Sequence, residues 1–554
     1  MIQNAMYRSF AYILVLLLGN WRPGAVAQAK KQGQYFYKKQ YIATHLPLYD
    51  KTKGLLPSPV YDEDTLLVKT YWKAWKLAFD NFHAPSSENG FVSQFIDASF
   101  NKSTFQWDDC FMSMFCNYGY PLIPGISSLD NFYAKQHQDG EICRELVTST
   151  GQDYWINQKH EPFFSRGGYG DGGPVSITYI NRKPPFPPPL LTLDGMNHPI
   201  FAWAEWESYL LTGNKKRLSR IWEPLRRYYQ SLKKYLRQGN GLYMTDWASM
   251  DNSPRNIWLK GGGTGIDISS EMVLFARNMA DIGSVLGRYQ EASQYRNDAG
   301  DLSAIINRLM WDDNIKFYVD LTLDGTPIRI KTVAGFWTLL AGIATPEQAT
   351  FLVSQLKDSA TFGRLNVVPT LAADEKEYAS YGGYWRGAVW APTNTMIIEG
   401  LEAYGYHQLA YEIAMKHLEL VAQVYKKTGT IWENYSPDSI TYGLHADKSP
   451  VARDFVGWSG IGPIMYLIKY AIGLDANAKN NEVTWTIRSS QREGCRNFRF
   501  NHHIITLIAT PFTQQSRKRT RIEINSDGAF TLKILKAGYE KKIAVTKGYY
   551  KFTL

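Results

Sequence analysis

Between residues 62 and 475 apolar side chains return every three or four positions, in stretches long enough to give one face of a helix after another. Leu66, Leu67, Tyr71, Trp72, Trp75 and Phe79 mark the first stripe. The pattern recurs at Leu218, Ile221, Trp222, Leu225, Tyr229, Leu232 and Leu236, over residues 268–286, and at Leu409, Ile413, Ala414, His417, Leu418, Val421 and Val424. Shorter candidates lie around Phe111, Leu129, Phe201, Ile305, Phe336, Phe351, Ile397 and Ile464, which predicts roughly a dozen helices. A helix with one apolar stripe must bury it against another element, so helices that come in pairs predict a mainly α, helix-on-helix domain. From about Val483 the period changes to two. Residues 484–487, 503–509, 521–524, 530–534 and 542–545 alternate as strands and predict a small C-terminal β-domain. Its basic cluster, Arg517, Lys518, Arg519 and Arg521, reads as a solvated turn.

The chain start has the order of a secretory signal: Arg8, an apolar run from Phe10 to Leu18, then Ala25, Ala27 and Ala29. Asn20 and Arg22 end that run short of the roughly 20 residues a membrane span needs. The organisation expected is a signal peptide over 1–29, a lead-in over 30–61, the helical domain over 62–475 and the β-domain over 476–554. The mature protein is then periplasmic or secreted, with no membrane association. Lys and Arg number 61 against 51 acidic residues, yet the surplus forms no basic stripe, so nucleic acid is not an expected partner. Cys110, Cys116, Cys143 and Cys495 lack the paired spacing of a zinc site and the density of a disulfide scaffold, and read as structural thiols.

Long connections are uncommon unless they are functional. They lie here over 151–192, 239–265, 362–386 and 430–453, and hold most of the chemistry-bearing residues; residues 181–191, rich in proline, read as a stiff wrapping arm. The segment TDWASMDNSPR, residues 245–255, offers Asp246, Asp251 and Arg255, with Trp247 able to supply the apolar wall that keeps a carboxylic acid protonated. Asp-Asn-Ser-Pro is equally good turn chemistry. In IWENYSP, residues 431–437, Glu433 stands between Trp432 and Tyr435, a placement that suits a buried loop or a cleft wall. GGYWRGAVWAPTN, residues 382–394, carries Trp385, Arg386 and Trp390 behind glycines that permit close backbone approach. FQWDDCF, residues 105–111, puts Trp107 and Asp108 at a helix start, with Asp109 as a candidate N-cap. The aromatic share of 14%, with 17 Trp and 36 Tyr, suits walls for flat ligands. GGGTG, residues 261–265, lacks the lysine of a phosphate loop and reads as a flexible loop, and no metal or cofactor motif is present.

Taken together, WDD at Trp107, NHPIFAWAEWESYLLTGN at 197–214, MDNSPR at 250–255, YWRGAVWAPTN at 384–394 and WENYSP at 432–437 resemble the trehalase-like glycosidases. The resemblance is nearest to the group of processing α-glucosidase I and mannosylglycerate hydrolase, glycoside hydrolase family 63, and runs over about 62–475. It implies an (α/α)6 toroid of six helix pairs. It implies an inverting glycoside hydrolase acting on α-glucosidic or α-mannosidic bonds of an oligosaccharide or small glycoside, with Asp251 as general acid and Glu433 as general base. Trp107, Asp108, Trp247, Trp385, Arg386 and Trp390 are then similar to residues that grip the sugar, Arg386 alternatively orienting Glu433. The sequence departs from the family at His198, Pro199 and Ile200, where relatives often carry Gln-Pro-Pro and the glutamine commonly touches the bound sugar; His198 then stands as a substrate-binding residue, and the identity of the sugar is left open. A non-catalytic carbohydrate-binding protein and a polysaccharide lyase on the same toroid are the alternatives.

Overall fold

The computed structural model describes residues 35–36, 45–97, 102–152, 198–245, 250–259, 263–514 and 517–554. The expected signal peptide, the proline-rich arm, Asp246 and Trp247 lie outside these residues.

Among the described residues, twelve helices carry the core: α1 (Thr65–Asp80), α2 (Gln106–Cys116), α3 (Leu129–Ala134), α4 (Phe201–Thr212), α5 (Lys215–Leu236), α6 (Ile266–Leu286), α7 (Tyr289–Leu309), α8 (Trp337–Leu340), α9 (Pro346–Lys357), α10 (Ala391–Ala403), α11 (His407–Thr428) and α12 (Ile461–Ala471), the last wound as a π-helix. The even-numbered helices close a ring. Each packs on the next, α2 on α4, α4 on α6, α6 on α8, α8 on α10 and α10 on α12, and α12 returns to α2. The odd-numbered helices are interleaved in sequence, and α1, α3, α5, α7 and α11 pack on the outside of that ring.

The sequence stripes explain this order. In α5 the apolar positions predicted from periodicity, Leu218 through Leu236, are all buried, and Asn214 caps the helix by accepting the Arg217 amide at 3.0 Å. The inner helices α2 and α10 bury almost every side chain, because they have neighbours on all sides. Burying one aromatic or aliphatic side chain is worth about 1.5–3 kcal/mol, so rings such as Trp75 and Trp390, both fully buried, are major contributors to the core.

The chain ends in a two-sheet sandwich. Label its strands β1 (Ser58–Tyr61), β2 (Leu474–Asn477), β3 (Glu482–Thr486), β4 (Glu493–Phe500), β5 (His503–Gln514), β6 (Arg517–Ser526), β7 (Phe530–Lys536), β8 (Tyr539–Val545) and β9 (Gly548–Thr553). One sheet has the order β1-β4-β5-β6-β9 and the other β2-β3-β7-β8. Phe500 meets Phe530 across them with ring centroids 6.1 Å apart. The segment before α1 thus supplies an edge strand, Ser58 lying opposite Arg496.

Three sequence expectations are corrected. Lys518, Arg519 and Arg521 lie within strand β6 rather than in a turn, exposed on either side of buried Thr520. Asp109 is not an N-cap: Phe105 occupies that position, and Asp109 is buried in the first turn, accepting a bond from the Thr104 hydroxyl at 2.9 Å. Gly263 and Thr264 of the glycine run form a strand paired with Met244 and Thr245. All four cysteines are buried, Cys110, Cys116 and Cys495 as free thiols, and among the described residues no helix is long and apolar enough to cross a membrane.

Candidate active site

Because helices alternate between the inner and outer layers, all inner helices run the same way, and every loop that enters an inner helix opens at one end of the ring. The segments singled out above are such loops. Trp107 and Asp108 begin α2, residues 250–256 precede α6, residues 382–390 precede α10, and residues 431–437 lie on the path to α12.

Hydrogen bonds tie three of them together. Asn252, next to Asp251, donates its side-chain amide to the Gly383 carbonyl at 3.0 Å and accepts the Trp385 amide at 2.9 Å, while its own carbonyl accepts the Arg386 Nε at 3.1 Å. The residue between those clamp points is Tyr384, whose hydroxyl donates to Glu433 Oε1 at 2.9 Å. Val389 and Tyr435 exchange backbone bonds of 2.8 and 3.0 Å, which joins the α10 loop to the Glu433 loop. Gly382, Gly383 and Tyr384 have φ of 110°, 53° and 64°. Glycine takes such angles freely, but for tyrosine the left-handed region costs about 1–3 kcal/mol, which the surrounding bonds must offset.

Glu433 is 5% exposed. Its second oxygen accepts the Ala452 amide at 3.1 Å, and its backbone carbonyl is held by Trp458 Nε1 at 3.0 Å and Ser459 Oγ at 3.1 Å. Burial pushes its carboxyl up to about 7, against the two hydrogen bonds that favour the anion, and the neighbouring charge of Asp251 adds to the rise. The side chain of Asp251 is solvent-accessible, yet protein surrounds it closely enough that desolvation raises its carboxyl too, opposed by Arg144. Asp108, buried, is raised well above the usual carboxylate range, first by desolvation and then by Glu145, Asp251 and Glu433, with Arg144 acting the other way. Three carboxyl groups from three distant stretches of sequence therefore sense one another at one end of the ring.

Aromatic rings line the same place. Trp385 stacks on Trp390 at 4.2 Å with planes 8° apart, Trp390 meets Trp458 at 5.6 Å, and Trp458 meets Trp107 at 6.5 Å. Trp432 and Tyr435 instead anchor the loop: Trp432 stacks on Tyr442 at 3.8 Å, and Tyr435 is buried.

Two expected site residues have other partners. Arg386 pairs with Glu377 at 3.1 Å in addition to the Asn252 carbonyl; among the described residues Tyr384, not Arg386, bonds the Glu433 carboxylate. His198 is buried with Nδ1 on Glu271, whose other oxygen accepts Trp337 Nε1 at 3.0 Å, and with Nε2 3.8 Å from Asp267. Burial opposes its protonation, but those two carboxylates raise it net. Asp267 also pairs with Arg255, which pairs with Asp320 at 2.9 Å, so Arg255 anchors the loop from below. Sequence reasoning passed over Tyr384, Asn252, Trp458 and Arg144. The signal for Tyr384 was available in its two preceding glycines; nothing local marks Arg144. Among the described residues no cluster of three or more His, Cys, Asp or Glu is placed to hold a metal ion.

Residues 195–441 match the family model of the mannosylglycerate hydrolase MGH1-like glycoside hydrolase domain. Over that stretch the chain is similar to glycoside hydrolase domains of this type. An uncharacterized protein of Borreliella burgdorferi is 26% identical over 453 residues, 80% of this chain and 86% of its own length. Mannosylglycerate hydrolase MGH1 of Selaginella moellendorffii is 35% identical over 118 residues, so the match spans only 22% of the plant protein and 21% of this chain. The crystal structure of the GH63 mannosylglycerate hydrolase of Thermus thermophilus in complex with glucose superposes with a TM-score of 0.51 and 17% identity, covering 71% of this chain and 98% of that one. That likeness establishes the fold: the helical domain is an (α/α)6 toroid, and the C-terminal sandwich is appended to it. Both Asp251 and Glu433 fall within the matched residues.

Proposed function

We propose that this protein is an inverting glycoside hydrolase acting on α-mannosides or α-glucosides of small size, with Asp251 as general acid and Glu433 as general base. The observation that carries this reading is the pair of raised carboxyl groups, Asp251 and Glu433, in each other's field beside an aromatic wall. Inversion requires a carboxylic acid on the leaving-group side and a carboxylate on the opposite face, roughly 6.5–9.5 Å apart to admit a water. In this scheme Glu433 takes a proton from water, the water oxygen bonds to the anomeric carbon as the glycosidic C–O bond breaks, and Asp251 gives its proton to the departing oxygen. Tyr384 and the Ala452 amide aim the Glu433 carboxylate. Asp108 and the Trp107 and Trp385 rings would hold the sugar, with fully buried Trp390 backing Trp385 rather than meeting the sugar as expected; Trp247, in the segment before Asp251, belongs to the same proposal. The substrate class rests on the named relatives, and export to the periplasm or beyond rests on residues 1–29.

The test is hydrolysis of a panel of small α-mannosides and α-glucosides, followed by NMR of the first sugar released. The β-anomer is expected. Initial α-anomer would overturn inversion, binding without turnover would favour a carbohydrate-binding protein, and an unsaturated product absorbing in the ultraviolet would mark a lyase.

A further inference from the structure

The opposite end of the ring holds a second cavity, of about 230 Å³. It lies where α2, α4, α10 and α12 end and strand β2 of the sandwich begins, and its walls include Tyr118, Glu207, Glu399, Lys469 and Asp475. Lys469 reaches Glu399 at 3.4 Å. Glu207 and Asp475 have no ion-pair partner among the described residues, and with Glu399 and Glu402 the acidic groups on the walls outnumber the basic Lys469. Helix C-termini add to the negative potential, each carrying about half a unit of negative charge. Tyr118, just beyond α2, is 7% exposed. Its hydroxyl has no hydrogen-bond partner among the described residues and lies in the field of Lys469, Asp475, Glu399 and Glu207. The side chain is thus nine-tenths buried while its hydroxyl stays accessible from the cavity, where a ligand would supply its hydrogen bond.

We propose that this cavity binds a small hydroxylated amine, an amino alcohol or amino sugar, whose ammonium group sits among Glu207, Glu399 and Asp475 and whose hydroxyl meets Tyr118. The acidic surplus selects the cation. The side chains of Met114, Leu210, Leu211 and Met465 on the same walls favour an organic cation over a bare metal ion. Burial and Glu399 push Glu207 up to about 8, against Lys469 and with Asp475, so without a ligand it holds a proton at neutral pH. Binding of an ammonium group displaces that proton, and affinity falls as the pH drops below about 8.

Calorimetric titration of the whole protein with 3-amino-1,2-propanediol at pH 8.5 tests this, with glycerol and potassium chloride as controls. The amine is expected to bind at least tenfold more tightly than either control and to weaken about tenfold at pH 6.5. Glu207→Gln and Tyr118→Phe, checked for a native melting transition, each weaken it at least fivefold, whereas Glu433→Gln does not. Equal binding of glycerol or potassium would overturn the proposal. So would unchanged affinity in Glu207→Gln, or loss of binding in Glu433→Gln, which would place the amine at the candidate active site.

Discussion

Desolvated carboxylates occur in two kinds of surroundings in this molecule. Glu205 and Asp130 share the guanidinium of Arg217, at 2.6 and 2.8 Å, and Tyr133 donates to Glu205 as well. Asp267 and Asp320 share Arg255 in the same way; burial still raises Glu205 and Asp320 against the opposing arginine, whereas Asp267, which His198 also faces, is held below the usual range. Asp108, Asp251 and Glu433 have no such arginine: among the described residues none forms an ion pair, and all three are raised. The first kind pins helices together. The second keeps protons available near neutral pH, at a cost in stability that only chemistry would justify.

The largest expected effect comes from deleting the second kind. Asp251→Asn and Glu433→Gln each lower kcat/KM at least about 10³-fold on the best α-glycoside of the panel, without loss of native circular dichroism. Near-normal turnover by either variant would remove that residue from the mechanism. Arg217→Ala attacks the first kind. It takes the guanidinium away from buried Glu205 and Asp130, so stability falls by about 3–5 kcal/mol in denaturant titration while the folded fraction keeps its kcat/KM.

The same comparison gives opposite signs for stability. Glu433 titrates near 7 in the folded protein and near 4.5 when unfolded, so its ionisation costs nothing below about pH 4.5, and the cost grows through pH 7 and is constant above. Glu433→Gln removes that cost. It is expected to raise stability by up to about 3 kcal/mol at pH 8 and to leave it unchanged at pH 4.5. Equal stability of variant and parent at pH 8 would show that the buried carboxylate is already compensated.

How much of this was legible in the sequence follows from range. Helical stripes are local, and Leu218 through Leu236 or Ile413 through Val424 announced their buried faces directly. The motif segments were legible too, since Asp251, Trp385 and Glu433 sit in long connections of biased composition and Trp107 at a helix start. Pairings across the chain were not. Arg386 looked available for sugar or Glu433 until Glu377 and the Asn252 carbonyl claimed it, and His198 looked like a sugar contact until Glu271 and Asp267 surrounded it. Both partners are set by how helices stack. The reverse holds for Tyr384, an ordinary aromatic in sequence, placed on Glu433 by a left-handed backbone and by Asn252 gripping both its neighbours.

Tyr384→Phe makes the smallest and most informative change. The hydroxyl bond to Oε1 favours the Glu433 anion, so its loss should raise the carboxyl further, while the ring, packed on Trp390 at 4.9 Å, stays in place. Two interacting carboxyls titrate as a pair, and the competent form holds one proton between them. With the last proton leaving near pH 7, kcat/KM should decline as the pH rises above about 7. In Tyr384→Phe that decline moves to higher pH by about half a unit to one unit, and kcat/KM at pH 7 falls about tenfold, the worth of one hydrogen bond to a charged group. A ring that merely packed would lower the rate and leave the alkaline limb where it was, so the position of that limb, rather than the rate, decides whether Tyr384 positions and tunes the base.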